Sequence, residues 1–465
     1  MKIKNRKRLL SAGDIKARKV VLDIIEESLQ TLDASHIMGN LLRLDGNVLQ
    51  IGNHHWDLDL KHRLFVIGAG KACNAMAKAV EDKLRDRISE GLVVVKQIEP
   101  GDELERIELV EGGHPLPNNE GLLASRRILN MVEQATLDDL FITVISGGSS
   151  ALMACPISGI TLEDEIEVTE KLLQSGARIL EINAIRRHIS ATNGGRLAQR
   201  IEAKGAEMIN LIISDVVGDG QKANPEQSTE FFGTPVAPDT TTLRDAINVL
   251  GKYDLWSHIP DSIAEYLGTE QPARETPKAF GDRIHHFVLQ TPADACEAAK
   301  RVADKMGLAA HILTTLLEGE SREAGTFLAC VAKEISLNHR PLQPPCVLIA
   351  GGETTTRVEK ASGLGGPSQE LALGFALEIV DLAGCSIAAI DTDGTDGPTE
   401  VAGGIADSTT VERARLKGLD VYERLMAHDS SNALRTLGDE ILTGNTGTNV
   451  CDLNVVFIPR TVRGI

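Results

Sequence analysis

The sequence predicts an α/β protein built from two α/β domains, on three observations. Apolar runs of strand length recur, each ending in a glycine-rich turn and passing into a helical pattern. The chain has 465 residues, well beyond the roughly 250–300 at which a single core stops growing. A polar stretch at 268–281, carrying Pro272 and Pro277, separates two such series. The expected domains are therefore 1–270 and 282–465, with the last segment free to return to the N-terminal domain.

Composition narrows the partners. Hydrophobic residues make up 42% and charged residues 25%, enough apolar material for large cores. Aromatics are only 3%, so those cores rest on Leu, Ile, Val and Ala, with little surface for stacking bases. Lys plus Arg (48) against Asp plus Glu (66) gives a net charge of −18, which repels nucleic acid and anionic membrane. An anionic small-molecule substrate then requires a locally positive pocket. Seven scattered cysteines without a C-x-x-C pair read as reduced, cytoplasmic thiols. The basic start, Met1-Lys-Ile-Lys-Asn-Arg-Lys-Arg8, is followed only by Leu9-Leu10, so it reads as a solvated, frayed arm. No apolar run approaches the roughly 18–20 residues of a membrane helix. A homo-oligomer is compatible with all of this.

Ser11-Ala-Gly-Asp14 opens a helix with Val21, Ile24, Ile25, Leu29 and Leu32 on one face. Residues 46–60 read as a hairpin. A strand at 64–67 ends in Gly68-Ala69-Gly70-Lys71 and enters an Ala-rich helix to about 84, the first half of a βαβ unit. That turn lacks the third glycine of a dinucleotide fingerprint and the spacing of a Walker loop. Lys71 either faces a bound anion at a helix N-terminus or is simply solvated. After a strand at 91–96, the loop Gly112-Gly113-His114-Pro115-Leu116-Pro117 is extended, because each proline biases its predecessor away from helix. His114 serves a ligand or a proton there, or is hydrogen-bonded structure. A helix at 121–134 and a strand at 140–144 lead to Ile145-Ser146-Gly147-Gly148-Ser149-Ser150. Two glycines admit close approach and three serines add hydroxyls, an arrangement suited to phosphate or carboxylate.

A helix at 162–180 precedes the positive cluster Arg186-Arg187-His188, and Asn193-Gly194-Gly195-Arg196 closes that region. Arginine forks match carboxylate and phosphate. A strand at 208–213 ends in Ser214-Asp215-Val-Val-Gly218-Asp219, placing carboxylates where open α/β sheets bind ligands. Beyond 281 the alternation resumes, with strands at 286–289, 309–314 and 345–349 and helices at 292–306 and 323–337. The third of these strands leads to Gly351-Gly352-Glu353-Thr354. A glycine loop at 363–370 enters a helix to 382. A strand at 386–390 ends in Asp391-Thr-Asp393-Gly-Thr-Asp396-Gly397. No glutamate occupies the twelfth place of an EF-hand there, since that position is Ala402. Its carboxylates either hold Mg²⁺ through one or two oxygens or close a self-capped Asx turn. Gly444-Asn-Thr-Gly447-Thr448-Asn449 precedes a last strand at 453–458.

Nine pieces in order resemble the glycerate 2-kinase family, whose C-terminal half is the MOFRL domain. They are Gly68-Ala-Gly-Lys71-Ala, Gly113-His-Pro-Leu-Pro117, Ser146-Gly-Gly-Ser-Ser-Ala-Leu152, Glu181-Ile-Asn-Ala-Ile-Arg186 and Gly194-Gly-Arg-Leu-Ala198. Ser214-Asp-Val-Val-Gly-Asp219, Gly351-Gly-Glu-Thr-Thr355, Asp391-Thr-Asp-Gly-Thr-Asp-Gly397 and Gly447-Thr-Asn449 complete the series. The resemblance implies a Rossmann-like N-terminal domain and a MOFRL-type α/β domain with the active site in the cleft between them. It also implies ATP-dependent phosphorylation of D-glycerate to 2-phosphoglycerate, or of a closely related hydroxy or sugar acid, with Mg²⁺. Lys71 matches the family's proposed active-site lysine.

In that scheme Lys71, Asp215 and Asp393 are catalytic, and Asp219 and Asp391 hold the metal. Residues 146–150, His114, Arg186, Glu353, Thr354 and Asn449 bind substrate or phosphate. The chain departs from the family pattern at Asn193, where lysine is usual, at Phe232-Gly-Thr-Pro235, at Pro367-Ser368 and at Asn445-Thr446. Two positive side chains are lost, which bears on substrate more than on fold. Two other readings stand beside the kinase. One is a nicotinamide-dependent hydroxypyruvate reductase, suggested by the Gly-x-Gly turn but lacking an acidic residue after the strand at 91–96. The other is a ligand-binding protein that kept the fold without turnover.

Overall fold

The runs that lack polar residues become fully buried strands, and two sheets organise the chain. The computed structural model describes residues 1–218, 235–358 and 363–460. The chain divides into two units, one formed by 37–214 with 219–289, the other by 1–36, 215–218 and 290–465.

In the first unit β1 (Arg43–Asp45), β2 (Val48–Ile51) and β3 (His54–Asp57) form a small antiparallel sheet, one strand more than the expected hairpin. Its main sheet comprises β4 (Leu64–Ala69), β5 (Glu90–Val95), β6 (Ile107–Glu111), β7 (Leu140–Ile145), β8 (Glu207–Ile213) and β9 (Ile284–Gln290). The spatial order is β6-β5-β4-β7-β8-β9, and the four pairings from β6 to β8 are parallel. Counted within the sheet this is 3-2-1-4-5-6, the doubly wound order. Every residue of β4 and β7 is buried, as strands covered on both faces require. The core of this unit joins Phe65, Ile67, Leu92, Val94, Phe141 and Met208 to the helix Asn119–Glu133 through Ile128 and Val132.

The expected helix at 162–180 is two, Leu162–Gln174 and Ile179–His188, broken at Gly176 with φ +76°. The expected linker at 268–281 is no boundary. Glu275 accepts the Leu243 amide and lies 2.9 Å from His188 Nε2, and Thr276 donates to Asp239 at 3.0 Å, so that stretch is pinned inside the first unit.

The second unit holds β10 (Ala309–Leu317), β11 (Cys346–Gly352), β12 (Ser386–Asp391), β13 (Gly403–Asp407), β14 (Glu440–Ile441) and β15 (Asp452–Ile458), in the order β10-β11-β15-β12-β13-β14. Among its described strands only β10 and β11 pair in parallel. The last strand, β15, inserts antiparallel between β11 and β12.

The N-terminal 36 residues also belong to this unit, contrary to the division at 270. The basic arm is docked rather than frayed. Lys2 Nζ bonds Asp33 and the Thr446 carbonyl, and Glu26 accepts the Lys2 and Ile3 amides. Asn5 bonds the backbone of Glu440 and Leu442. Helix Ile15–Thr31, capped by the Asp14 carboxylate, buries Arg18 completely. Arg18 closes a fork on Asp439 at 2.7 and 3.0 Å and donates Nε to Asp407. Those contacts make a basic residue part of the core.

Replacing Arg18 with Ala leaves buried Asp407 without its counter-ion and Asp439 with Arg413 alone, which costs about 3–5 kcal/mol. Urea or thermal unfolding of R18A is expected to register a loss of that size in this unit.

Candidate active site

In the doubly wound order, the chain leaves β4 toward one side of the sheet and β7 toward the other, and a crevice opens at the strand ends. The turn carrying Lys71 follows β4 and the turn carrying residues 146–150 follows β7, so both occupy this switch point. They are laced together. The Lys71 amide donates to the Gly147 carbonyl at 2.9 Å, and the Ser146 amide to the Ala69 carbonyl at 3.3 Å. Ser146 Oγ accepts the Ala72 amide at 3.0 Å. A Cβ on Gly70 would stand 2.1 Å from Ser146 Oγ, so only glycine lets the two turns meet.

Gly148, at φ +86°, caps the four-residue helix Ser149–Leu152. A Cβ there would lie 3.0 Å from His114 Cδ2 and 3.3 Å from Lys71 Cγ. The structure therefore brings Lys71, His114 and the 146–150 turn to one point. The backbone N–H groups of Gly147 and Gly148 donate to nothing among the described residues, and Gly148 is half-buried. Unclaimed amides on successive residues in such a turn form an anion-binding concavity. Ser149 is buried, Ser150 half-buried, and the Ser150 carbonyl accepts Asn193 Nδ2 at 3.2 Å. Asn193 thereby supports the turn, a role that its place as a departure from the family pattern did not signal.

Arg186, near the end of helix Ile179–His188, is mostly buried. Its nearest charge is Glu165, with Nε 3.9 Å from Oε1, beyond hydrogen-bond range. Its neighbour Arg187 is engaged by Asp239 at 2.9 Å.

The other expected residues lie in the second unit, at one end of its sheet. The antiparallel insertion of β15 sets Asp452 opposite both Gly352 and Asp391. Thr354 donates its amide and hydroxyl to Asp452, at 3.1 and 3.2 Å. Asn449 Nδ2 reaches Asp215 at 3.2 Å, and the Cys451 thiol donates to the Asp215 carbonyl at 2.7 Å. Burial, reinforced by Asp215, Glu353, Asp452 and Asp391, pushes the Cys451 thiol well up, so it stays protonated. Asp215, Glu353, Thr354, Asp391 and Asn449 thus share one neighbourhood, whereas Asp219 lies outside the described residues.

The loop after β12 takes the self-capped form. Asp391 accepts the Asp393 amide at 3.1 Å, and Asp393 accepts both the amide and hydroxyl of Thr395 at 2.7 Å. Asp396 receives the amides of Ser368 and Gln369 at the start of helix Pro367–Glu378. Pro367 and Ser368, two of the departures, supply that helix start. Burial raises the carboxyls of Asp396 and Asp452, and each is raised further by neighbouring carboxylates. Sequence reasoning missed Asp452. Its one signal is a lone acid opening a run that is apolar but for Asn454.

Among the described residues no group of three or more His, Cys, Asp or Glu has metal-holding geometry. The donors present are hard carboxylate oxygens, which fit the usual mode of Mg²⁺, one or two carboxylates completed by substrate phosphates.

The first unit carries a lysine and a glycine turn with unclaimed amides at the switch point of a doubly wound sheet, and the second gathers carboxylates; these are the groups that phosphoryl transfer uses. Comparison with known proteins agrees. Residues 20–268 match the domain of unknown function DUF4147, and residues 346–452 match the MOFRL family. The chain is 40% identical to a glycerate 2-kinase of Pyrococcus horikoshii, over 96% of this chain and 98% of that one. A solved glycerate kinase of Thermotoga maritima superposes with a TM-score of 0.77 at 35% identity, covering 95% of this chain and 99% of that one. A protein of Agrobacterium vitis with a provisional hydroxypyruvate reductase name is 36% identical, over 85% of this chain and 87% of that one. The chain belongs to the glycerate 2-kinase family.

Gly148→Ala forces a left-handed alanine, at about 1–2 kcal/mol, and crowds His114 and Lys71. Steady-state kinetics of G148A are expected to lose at least about tenfold in kcat/KM, while the unfolding midpoint moves by only a few degrees.

Proposed function

We propose that this chain is an ATP-dependent kinase that transfers a phosphoryl group to the 2-hydroxyl of D-glycerate. The observation that carries the reading is the convergence of Lys71 and His114 on Gly148, in the turn with the unclaimed amides at the switch point. Phosphoryl transfer asks for placed charge and oriented oxygens and little covalent chemistry from the protein. Lys71 balances charge on the transferring group, and the amides of the 146–150 turn and the nearby His114 receive an anionic oxygen. Arg186 takes the glycerate carboxylate. Asp215 and Asp393 orient the attacking hydroxyl and accept its proton. Asn449 fixes the Asp215 carboxylate, and Thr354 and Glu353 complete the polar wall beside it. Asp391, with Asp219 of the same scheme, would hold Mg²⁺, which would supply neutralisation of the phosphate oxygens. A sugar acid with the same 2-hydroxy carboxylate head fits the same roles.

The reductase reading is disfavoured at one place. Where β5 ends, at Val95, the next residue is Lys96 instead of the acid that a nicotinamide ribose requires. A cytoplasmic location belongs to the proposal and is supported by seven unpaired cysteines. Among the described residues no helix is long and apolar enough to cross a membrane.

The test is ADP release with ATP and Mg²⁺ across a panel of small hydroxy acids that includes both glycerate enantiomers. Release with D-glycerate is expected, and Lys71→Ala should lower kcat by about 10²–10³ with unfolding unchanged. ATP binding with no ADP from any acid would instead mark a binding protein, and an unaffected K71A would remove the lysine from the reaction.

A further inference from the structure

Glu165 is a buried carboxyl that the proposed reaction leaves unused. It sits in the first turn of helix Leu162–Gln174, is 1% exposed, and among the described residues neither oxygen accepts a hydrogen bond. Arg186 Nε, 3.9 Å away, is likewise buried and donates to nothing. This open contact contrasts with the arginines that hold the fold together. Arg18 closes on Asp439 at 2.7 and 3.0 Å, and Arg63 on Asp139 at 2.7 and 3.1 Å. A structural pair gains its stability by closing the fork. The fork of Arg186 stays open, with its side chain still 13% accessible.

We propose that Glu165 is the internal counter-charge of Arg186, so that docking of the substrate carboxylate on this guanidinium is coupled to uptake of a proton by Glu165. This rests on the reading that Arg186 takes the glycerate carboxylate. Neutral Glu165 leaves the guanidinium charge to the incoming anion. Ionised Glu165 compensates that charge and repels the anion in a medium of low dielectric. Proton balance is simple: one proton moves from solvent to the Glu165 carboxylate as the anion binds, and returns when it leaves.

The titration range suits the role. Burial pushes Glu165 up to about 7, and Arg186 pulls it the other way. Glu165 is therefore protonated below about 7 and ionised above, and anion affinity falls as pH rises through that range. Few other charges face the pair. Arg187 on the same helix is engaged by Asp239, and Asp164 is spent on Thr161 and Ser262. The Cys155 thiol, raised by burial, stays protonated near Arg126 and Arg200. Helix Leu243–Lys252 buries Leu243, Ala246, Val249 and Leu250, all apolar, in the core that these two helices share.

The test is KM for D-glycerate between pH 6 and 8.5 in wild type, Glu165→Gln and Arg186→Gln. Wild-type KM is expected to rise about tenfold across the range. E165Q, which mimics the neutral acid, should stay flat near the low-pH value. R186Q should have a high KM throughout. An E165Q profile that tracks wild type overturns the proposal while leaving the kinase reading intact. An R186Q KM equal to wild type at pH 6 removes Arg186 from the carboxylate, and the proposal with it. Absence of turnover with glycerate overturns the kinase reading itself. If E165Q is poorly folded, calorimetry of wild type with D-glycerate at pH 7.5, in two buffers of different ionisation enthalpy, decides. Proton uptake is expected, and zero uptake overturns the proposal.

Discussion

The candidate chemistry of the first unit depends on one close approach, that of the turns following β4 and β7. Parallel pairing carries the two strands in register to Ala69 and Ile145. The chains then diverge, and the absence of a side chain at Gly70 lets the Ser146 hydroxyl fill the space between them. From that contact follow the Ala72–Ser146 bond, the Lys71–Gly147 bond and the placing of Lys71 and His114 beside Gly148. A lysine and two unclaimed amides in a net acidic protein form the locally positive spot that an anionic substrate needs.

The second unit achieves its local chemistry by another route. There the last strand runs against its neighbours and delivers Asp452 to the ends of β11 and β12, where Asp391 already stands. Several carboxylates packed so closely repel one another, and the fold meets that cost with donors. Thr354 and Ser368 serve Asp452, the amides of Ser368 and Gln369 serve Asp396, and Asn449 serves Asp215. Side chains held by such bonds keep one geometry, which is what positioning a hydroxyl or a hard cation demands.

What could be read from the sequence was what is encoded locally. Buried parallel strands appear as unbroken apolar runs, so β4, β7 and β8 were legible, as were the glycine turns after them. Strand order is set by pairing between distant residues, and nothing near 453–458 announces that this strand lies between β11 and β12. The stretch 268–281 has the prolines and polarity of a linker, yet Glu275 and Thr276 spend that polarity on buried partners. The basic N-terminus misleads in the same way, since Lys2, Asn5 and Arg18 find partners more than 380 residues away, at Thr446, Glu440, Asp439 and Asp407. In the candidate site, the glycine turns that bring Lys71 and residues 146–150 together were legible from spacing. Glu165 was not, because one glutamate within the acidic run Glu163-Asp164-Glu165-Ile-Glu167 of an amphipathic helix reads as solvated surface.

The most direct test of the account is the ³¹P spectrum, without proton decoupling, of the product formed from ATP and D-glycerate. Phosphate on carbon 2 couples to a single carbon-bound proton, so a doublet is predicted for the new monoester. A triplet would place the phosphate on carbon 3, and absence of a new monoester would deny the transfer altogether; either result contradicts the account.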